Sequence, residues 1–181
     1  YNLFTQQGTY LFLYLFGAYI LMLSLRIKTI PSILGAIAYA FFSYNVLIIE
    51  AGHLAKVYAL AFLPLMLAGL VLSFRGKIWI GAILFSLGVG FELNANHFQI
   101  TYYSAFVILI FGFFELFQAY KEGKLSKFFL ATGLCILMGL LAVGTNASRL
   151  LTSNDYSKYT MRGGSELKAN AAAGSEKGLE K

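Results

Sequence analysis

Ile48-Ile49-Glu50-Ala51-Gly52-His53-Leu54-Ala55-Lys56-Val57-Tyr58 sets three ionisable side chains between two long apolar runs. A charge at the centre of a bilayer helix costs about 2.5–3.5 kcal/mol on insertion scales, so such residues collect at a membrane face or inside a polar cavity. The same demand recurs downstream, in Glu92-Leu93-Asn94-Ala95-Asn96-His97-Phe98-Gln99. If the apolar runs cross a membrane, alternation of the crossings brings both stretches out on one side.

The composition supports that premise. The 181 residues are 59% hydrophobic and 12% charged, with a mean hydropathy of +0.71, whereas soluble domains carry about 25% charged residues. The net charge of +6 is spread over short loops and a tail. It therefore reads as a topology signal, and no nucleic-acid partner is expected. The single cysteine, Cys135, lies in an apolar run and leaves no disulfide framework within the chain. The chain opens on Tyr1-Asn2-Leu3-Phe4, without methionine or a signal-peptide pattern, and closes in a charged Ala/Gly-rich tail. Further sequence is expected on both sides.

A span needs about 20 apolar residues, because a rise of about 1.5 Å per residue must cross about 30 Å of hydrocarbon. Six runs approach that length, at about residues 9–25, 31–49, 57–74, 78–93, 100–118 and 128–144. The expected fold class is all-α: a polytopic membrane bundle of about six transmembrane helices over residues 1–145. Pro31 suits a first helical turn, whereas Pro64 falls inside the third run and is expected to kink it. Arg26, Lys28, Arg75, Lys77, Lys121, Lys124 and Lys127 share one set of loops, with Lys56 alone in the opposite set. The basic side should be cytoplasmic, leaving Tyr1 and residues 146–181, a polar segment, extracytoplasmic.

At i, i+3 and i+6, Glu50, His53 and Lys56 would share one face of a helix. His53 and Lys56 could pair with a phosphate or pyrophosphate while Glu50 orients His53 or binds a sugar hydroxyl. The plainer reading makes them interfacial residues, with Lys56 snorkelling to headgroups. In the second stretch, Asn94, Asn96 and Gln99 offer amide donors and acceptors for a hydroxyl-rich ligand, and Glu92 or His97 could act as a base. There the plainer reading is a solvated loop that caps helix ends. A divalent metal shared by Glu50, His53, Glu92 and His97 is chemically reasonable, yet nothing like His-Glu-x-x-His occurs and no metal ligand is assigned. Arg149 could add a cation for a pyrophosphate or anchor at headgroup level. Asn146-Ala147-Ser148 matches the glycosylation sequon. Tyr39, Tyr44, Tyr58, Tyr102 and Tyr103 lie near the outer half, as an aromatic belt or as sugar-stacking rings.

With those residues in hand, the chain resembles the YfhO-type bacterial membrane proteins of the GT-C glycosyltransferase class. The likeness lies in Tyr1-Asn2-Leu3-Phe4 before a span, Leu34-Gly35-Ala36-Ile37-Ala38-Tyr39-Ala40-Phe41, Gly52-His53 with Lys56, and Ala61-Phe62-Leu63-Pro64-Leu65. It continues in Ala95-Asn96-His97-Phe98-Gln99-Ile100-Thr101-Tyr102-Tyr103 and Arg162-Gly163-Gly164-Ser165-Glu166-Leu167. The resemblance implies sugar transfer from a polyprenyl-phosphate carrier outside the bacterial cytoplasmic membrane. It also implies a catalytic acid in the first extracytoplasmic loop, upstream of Tyr1, so this stretch alone should be inactive. Gly52, His53 and Lys56 then stand near the lipid-linked phosphate. The rival expectations are a membrane transporter or lipid flippase, and a non-catalytic assembly partner.

Overall fold

Residues 6–158 are described in the computed structural model, and every element among them is helical. In order these are α1 (Gln6–Ser24), α2 (Thr29–Ala40), α3 (Ser43–Glu50), α4 (Leu54–Phe74), α5 (Ile78–Asn94), α6 (Phe98–Lys121), α7 (Leu125–Thr145) and α8 (Ala147–Lys158). The chain divides into two units, Tyr1–Asn146 and Ala147–Lys181, the first holding α1 to α7 and the second α8. Tyr1-Asn2-Leu3-Phe4, the Arg162–Leu167 stretch and the rest of the tail from residue 159 lie outside the described residues.

Among the described residues, four helices, α1, α4, α6 and α7, are long and apolar enough to cross a membrane. A fifth crossing results if α2 and α3, bent by 43° relative to each other, form one broken span. The expected count of about six is approximate, because α5 has 17 residues. It reaches only about 26 Å at 1.5 Å per residue, short of about 30 Å of hydrocarbon. The expected second run of 31–49 is also two helices, with the chain turning at Phe41-Phe42. That turn is tolerable in an apolar setting because buried Asn45 donates its amide to the Tyr39 carbonyl at 2.7 Å.

The bundle is built around the antiparallel hairpin of α4 and α5. Lipid tails are as apolar as leucine, so helices in a membrane associate through close packing and hydrogen bonds, and small residues permit the closest approach. Here Gly69 lies against the backbone of Phe85, and Gly81 against Ser73. A Cβ on Gly88 would come within 2.5 Å of the Met66 Cα. These three levels fix the register, with the start of α4 beside the end of α5.

Two apolar clusters share α4. Tyr10, Tyr14, Ala40, Ile48, Val57 and Ala61 join it to α1, α2 and α3, and Met66, Leu70, Ala82, Phe85 and Cys135 join it to α5 and α7. Ser86 adds a hydrogen bond from α5 to the Met138 carbonyl of α7, at 2.7 Å.

Pro64 does not end α4, which remains one helix from Leu54 to Phe74. Having no N–H, Pro64 leaves the Leu60 carbonyl without its helical donor, a costly omission inside an apolar bundle. The Tyr39 hydroxyl of α2 donates to that carbonyl at 2.7 Å. Tyr39 is thus anchored at both ends, by Asn45 on its carbonyl and by Leu60 at its hydroxyl, and Tyr14 packs edge-on against its ring at 5.8 Å.

Candidate functional site

The two ends of the α1–α7 bundle differ in chemistry. At one end, Arg75 of the α4–α5 turn donates to the Ser24 carbonyl at 3.1 Å, closing the C-terminus of α1 with a cation where the helix dipole favours one. The α1–α2, α4–α5 and α6–α7 turns meet there around one cleft that includes Arg26, Arg75 and Lys124. The turns before α4 and α6 occupy the opposite end, as the α4–α5 register requires. Both expected polar stretches therefore emerge at one end of the bundle.

Those two turns match residue for residue. Ala51 and Ala95 close α3 and α5 in the right-handed helical region, at φ −69° and −64°. Gly52 and Asn96 follow in the left-handed region, at φ +71° and +57°. His53 and His97 come next, each as the N-cap of the following helix. Glycine takes a left-handed conformation without steric cost, and asparagine is among the few side chains that tolerate it. Asn96 therefore shapes the backbone of its turn. Read by their charged residues the two stretches form no repeat, because the glutamates stand at different distances from the histidines, although Ala-x-His occurs in both.

The left-handed Gly52 also corrects the expected single helical face of Glu50, His53 and Lys56. Glu50 ends α3, and the N–H of His53 returns to the Ile48 carbonyl at 3.1 Å, closing that helix. Lys56 then begins a separate helix. Glu50 and His53 are exposed and Lys56 is half-buried.

The second stretch disperses as well. Glu92 turns inward and is 1% exposed, with Oε1 accepting from the Ser104 hydroxyl of α6 at 3.0 Å. Its Oε2 is buried without a hydrogen-bond partner among the described residues. Asn94, two residues on and so about 200° around the helix, instead lines a cavity of about 420 Å³ between α5 and α7, with Gly90, Thr145 and Asn146. His97 is half-buried and accepts from the Ile100 N–H through Nδ1 at 3.4 Å, leaving Nε2 as its other hydrogen-bonding edge. Gln99 is exposed and donates to the Tyr103 hydroxyl at 3.3 Å. Arg149 is exposed on α8, in the second unit.

A shared metal site does not assemble: among the described residues, no three His, Cys, Asp or Glu side chains converge. Glu92 is buried in the bundle while Glu50 and His53 remain at its surface. At the sequon the Asn146 amide is buried and donates to the Gly90 and Ala142 carbonyls at 3.1 and 3.0 Å. A glycan would require both bonds to break.

Beneath the polar end lie Ser104 and Tyr14, which sequence reasoning missed, and Tyr39, which it read as a belt or sugar-stacking ring. Ser104 pairs with Glu92, and the Tyr39 hydroxyl is within electrostatic reach of the same carboxylate. The Tyr14 hydroxyl is fully buried and unpartnered among the described residues. Thr101 and Ser104, at i and i+3 in an otherwise aliphatic and aromatic run, were the available signal for a polar face on α6. Of the five tyrosines near the outer half, Tyr102 and Tyr103 are 61% and 57% exposed, as belt residues should be, whereas Tyr39 is committed to the interior. No protein-family model, curated protein or solved structure matches the chain.

Proposed function

We propose that the polar end of the bundle receives the anionic head and sugar of a polyprenyl-phosphate-linked donor. In this reading the chain is part of an integral membrane glycosyltransferase-like protein of the bacterial cytoplasmic membrane, working on the extracytoplasmic face. The observation that carries the proposal is the pair of matched Ala-x-His turns at one end of the bundle, with Glu92 buried just below them. Two imidazoles and Lys56 supply donors for phosphate oxygens, and Asn94, Asn96 and Gln99 supply amides for sugar hydroxyls. The opposite, basic end supports a cytoplasmic placement for itself. The family resemblance implies a separate catalytic acid for displacement at the anomeric carbon, and no residue here is given that role.

The test is sugar transfer from a radiolabelled polyprenyl-phosphate sugar, in membranes containing the protein with whatever sequence flanks it in its gene. His53→Ala and Lys56→Ala each abolish transfer at unchanged membrane levels; full activity in both variants ends the proposal.

A transporter or flippase is the second reading, favoured by Glu92 and Tyr14, whose unpartnered oxygens lie inside the bundle. Proteoliposomes that accumulate or translocate the lipid-linked sugar without transferring it would select this reading.

A further inference from the structure

The basic end contains a cleft of about 600 Å³ lined by Arg26, Arg75, Lys124 and Lys127, with Glu115 and Glu122. Its cations exceed its carboxylates by two. Glu122 is matched within the cleft, accepting from Lys124 at 2.7 Å and Gln118 at 2.9 Å. Among the described residues, no carboxylate pairs with Arg26 or Lys127.

Arg26 also holds its backbone in the left-handed region, at φ +62°. At the equivalent helix ends before α4, α5 and α7 the chain places Gly52, Gly76 and Gly123. A non-glycine residue in that conformation is unfavourable. Arg26 thus occupies a position where glycine would serve the fold better, and it lines the cleft.

Phe74 and Phe128 line this cleft and also an apolar groove of about 320 Å³ between α6 and the α4–α5–α7 face. The cleft and the groove therefore adjoin at these two rings, whose centroids are 5.5 Å apart. Gly112 lines the groove with open space where its Cβ would be, and Thr132 adds a hydroxyl that is buried and unpaired among the described residues. Thr132 lies about 7–8 Å further along α7 than Lys127. That spacing sets a hydrogen-bond donor below the cations, where a glycerolipid carries its ester carbonyls.

We propose that the cleft and groove form one site for a glycerophospholipid with an anionic headgroup, taken from the leaflet at the basic end. Arg26 and Lys127 meet the phosphate, Thr132 donates to an acyl ester carbonyl, and one acyl chain lies in the groove beside Gly112. The site is at the opposite end of the bundle from the histidine turns and does not depend on the reading given to them.

Native mass spectrometry of the detergent-solubilised protein, titrated with dioleoylphosphatidylglycerol, dioleoylphosphatidylcholine or glycerol phosphate, tests this. Phosphatidylglycerol should bind at least about 10-fold more tightly than phosphatidylcholine of the same chains, and glycerol phosphate without chains should not bind detectably. Arg26→Gly and Lys127→Gln should each weaken phosphatidylglycerol about 5-fold, and together about 25-fold, at roughly the interaction expected of one cation near a charged membrane surface. Arg26→Gly should leave thermal stability equal or higher, which separates lost binding from lost fold. Gly112→Leu, whose Cβ meets nothing within 4 Å and whose branched end narrows the groove, should weaken both lipids alike. Equal binding of the two lipids, unchanged phosphatidylglycerol binding in the double variant, or glycerol phosphate binding as tightly as the lipid would each overturn the proposal.

Discussion

The α4–α5 hairpin and α6 are both strongly apolar, yet they occupy opposite extremes of the bundle. The most apolar stretch of α4 is 56% buried by the protein, and that of α6 only 6%. Hydropathy does not separate them; side-chain size does. The α4–α5 seam is built of Gly69, Ser73, Gly81 and Gly88, which bring the two backbones together. α6 presents Ile110, Phe113 and Phe114, which are 69%, 69% and 62% exposed by the protein and suited to lipid. In a membrane, apolarity decides that a helix is immersed, and small residues decide which helices touch.

The largest expected effect breaks that contrast with one kind of substitution at two places. Gly69→Ala puts a methyl group into the backbone of Phe85, where no side-chain rotation can relieve it. It should cost about 3 kcal/mol, the upper range for overpacking, or prevent assembly altogether. Gly112→Ala on α6 meets nothing within 4 Å and should be neutral or stabilising by up to about 1 kcal/mol. Unfolding of both variants in mixed micelles, followed by circular dichroism, gives the comparison. Similar losses at the two positions would mean that size does not set the order of the bundle.

A smaller effect tests how α4 can be central and still contain a proline. Tyr39→Phe leaves the Leu60 carbonyl without the donor that Pro64 cannot supply. It should destabilise by about 1–2 kcal/mol, the usual cost of an unsatisfied buried acceptor. Pro64→Ala restores the helical N–H, so Tyr39→Phe should cost about 1 kcal/mol less in that background. The double-mutant cycle cancels whatever packing the proline ring alone provides, leaving the coupling between the two positions. Additive costs would detach the tyrosine from the proline.

The sequence revealed the parts of this arrangement that are local. Apolar run length located the long helices, and Arg75-Gly76-Lys77 was readable as the turn between α4 and α5. The alternation of basic and polar turns gave the two ends of the bundle. What it did not reveal depends on partners distant in the chain. Asn45 makes the break between α2 and α3 tolerable only because its amide reaches Tyr39. Glu92 reads as a possible base or part of a solvated loop because Asn94, Asn96 and Gln99 follow it in sequence, whereas its helical phase turns it toward Ser104. The glycines of α4 and α5 were visible individually, but their facing register required the hairpin.

The smallest expected effect lies at the solvent end of α6, where the buried seam has no influence. Hydrogen bonds from Lys124 and Gln118 hold the Glu122 carboxyl below its usual range. A group whose pKa is depressed in the folded state binds fewer protons folded than unfolded over the intervening pH window. Its contribution is fully present above the ordinary carboxylate range and is lost as the pH falls through the depressed value. Glu122→Gln should therefore flatten the acid limb of the stability curve slightly and leave neutral pH almost unchanged, because exposed pairs contribute little. The same variant removes a negative charge from the basic cleft and should tighten anionic-lipid binding. A variant that alters neutral stability as much as Gly69→Ala would show that this end of α6 is held by charge and not merely decorated by it.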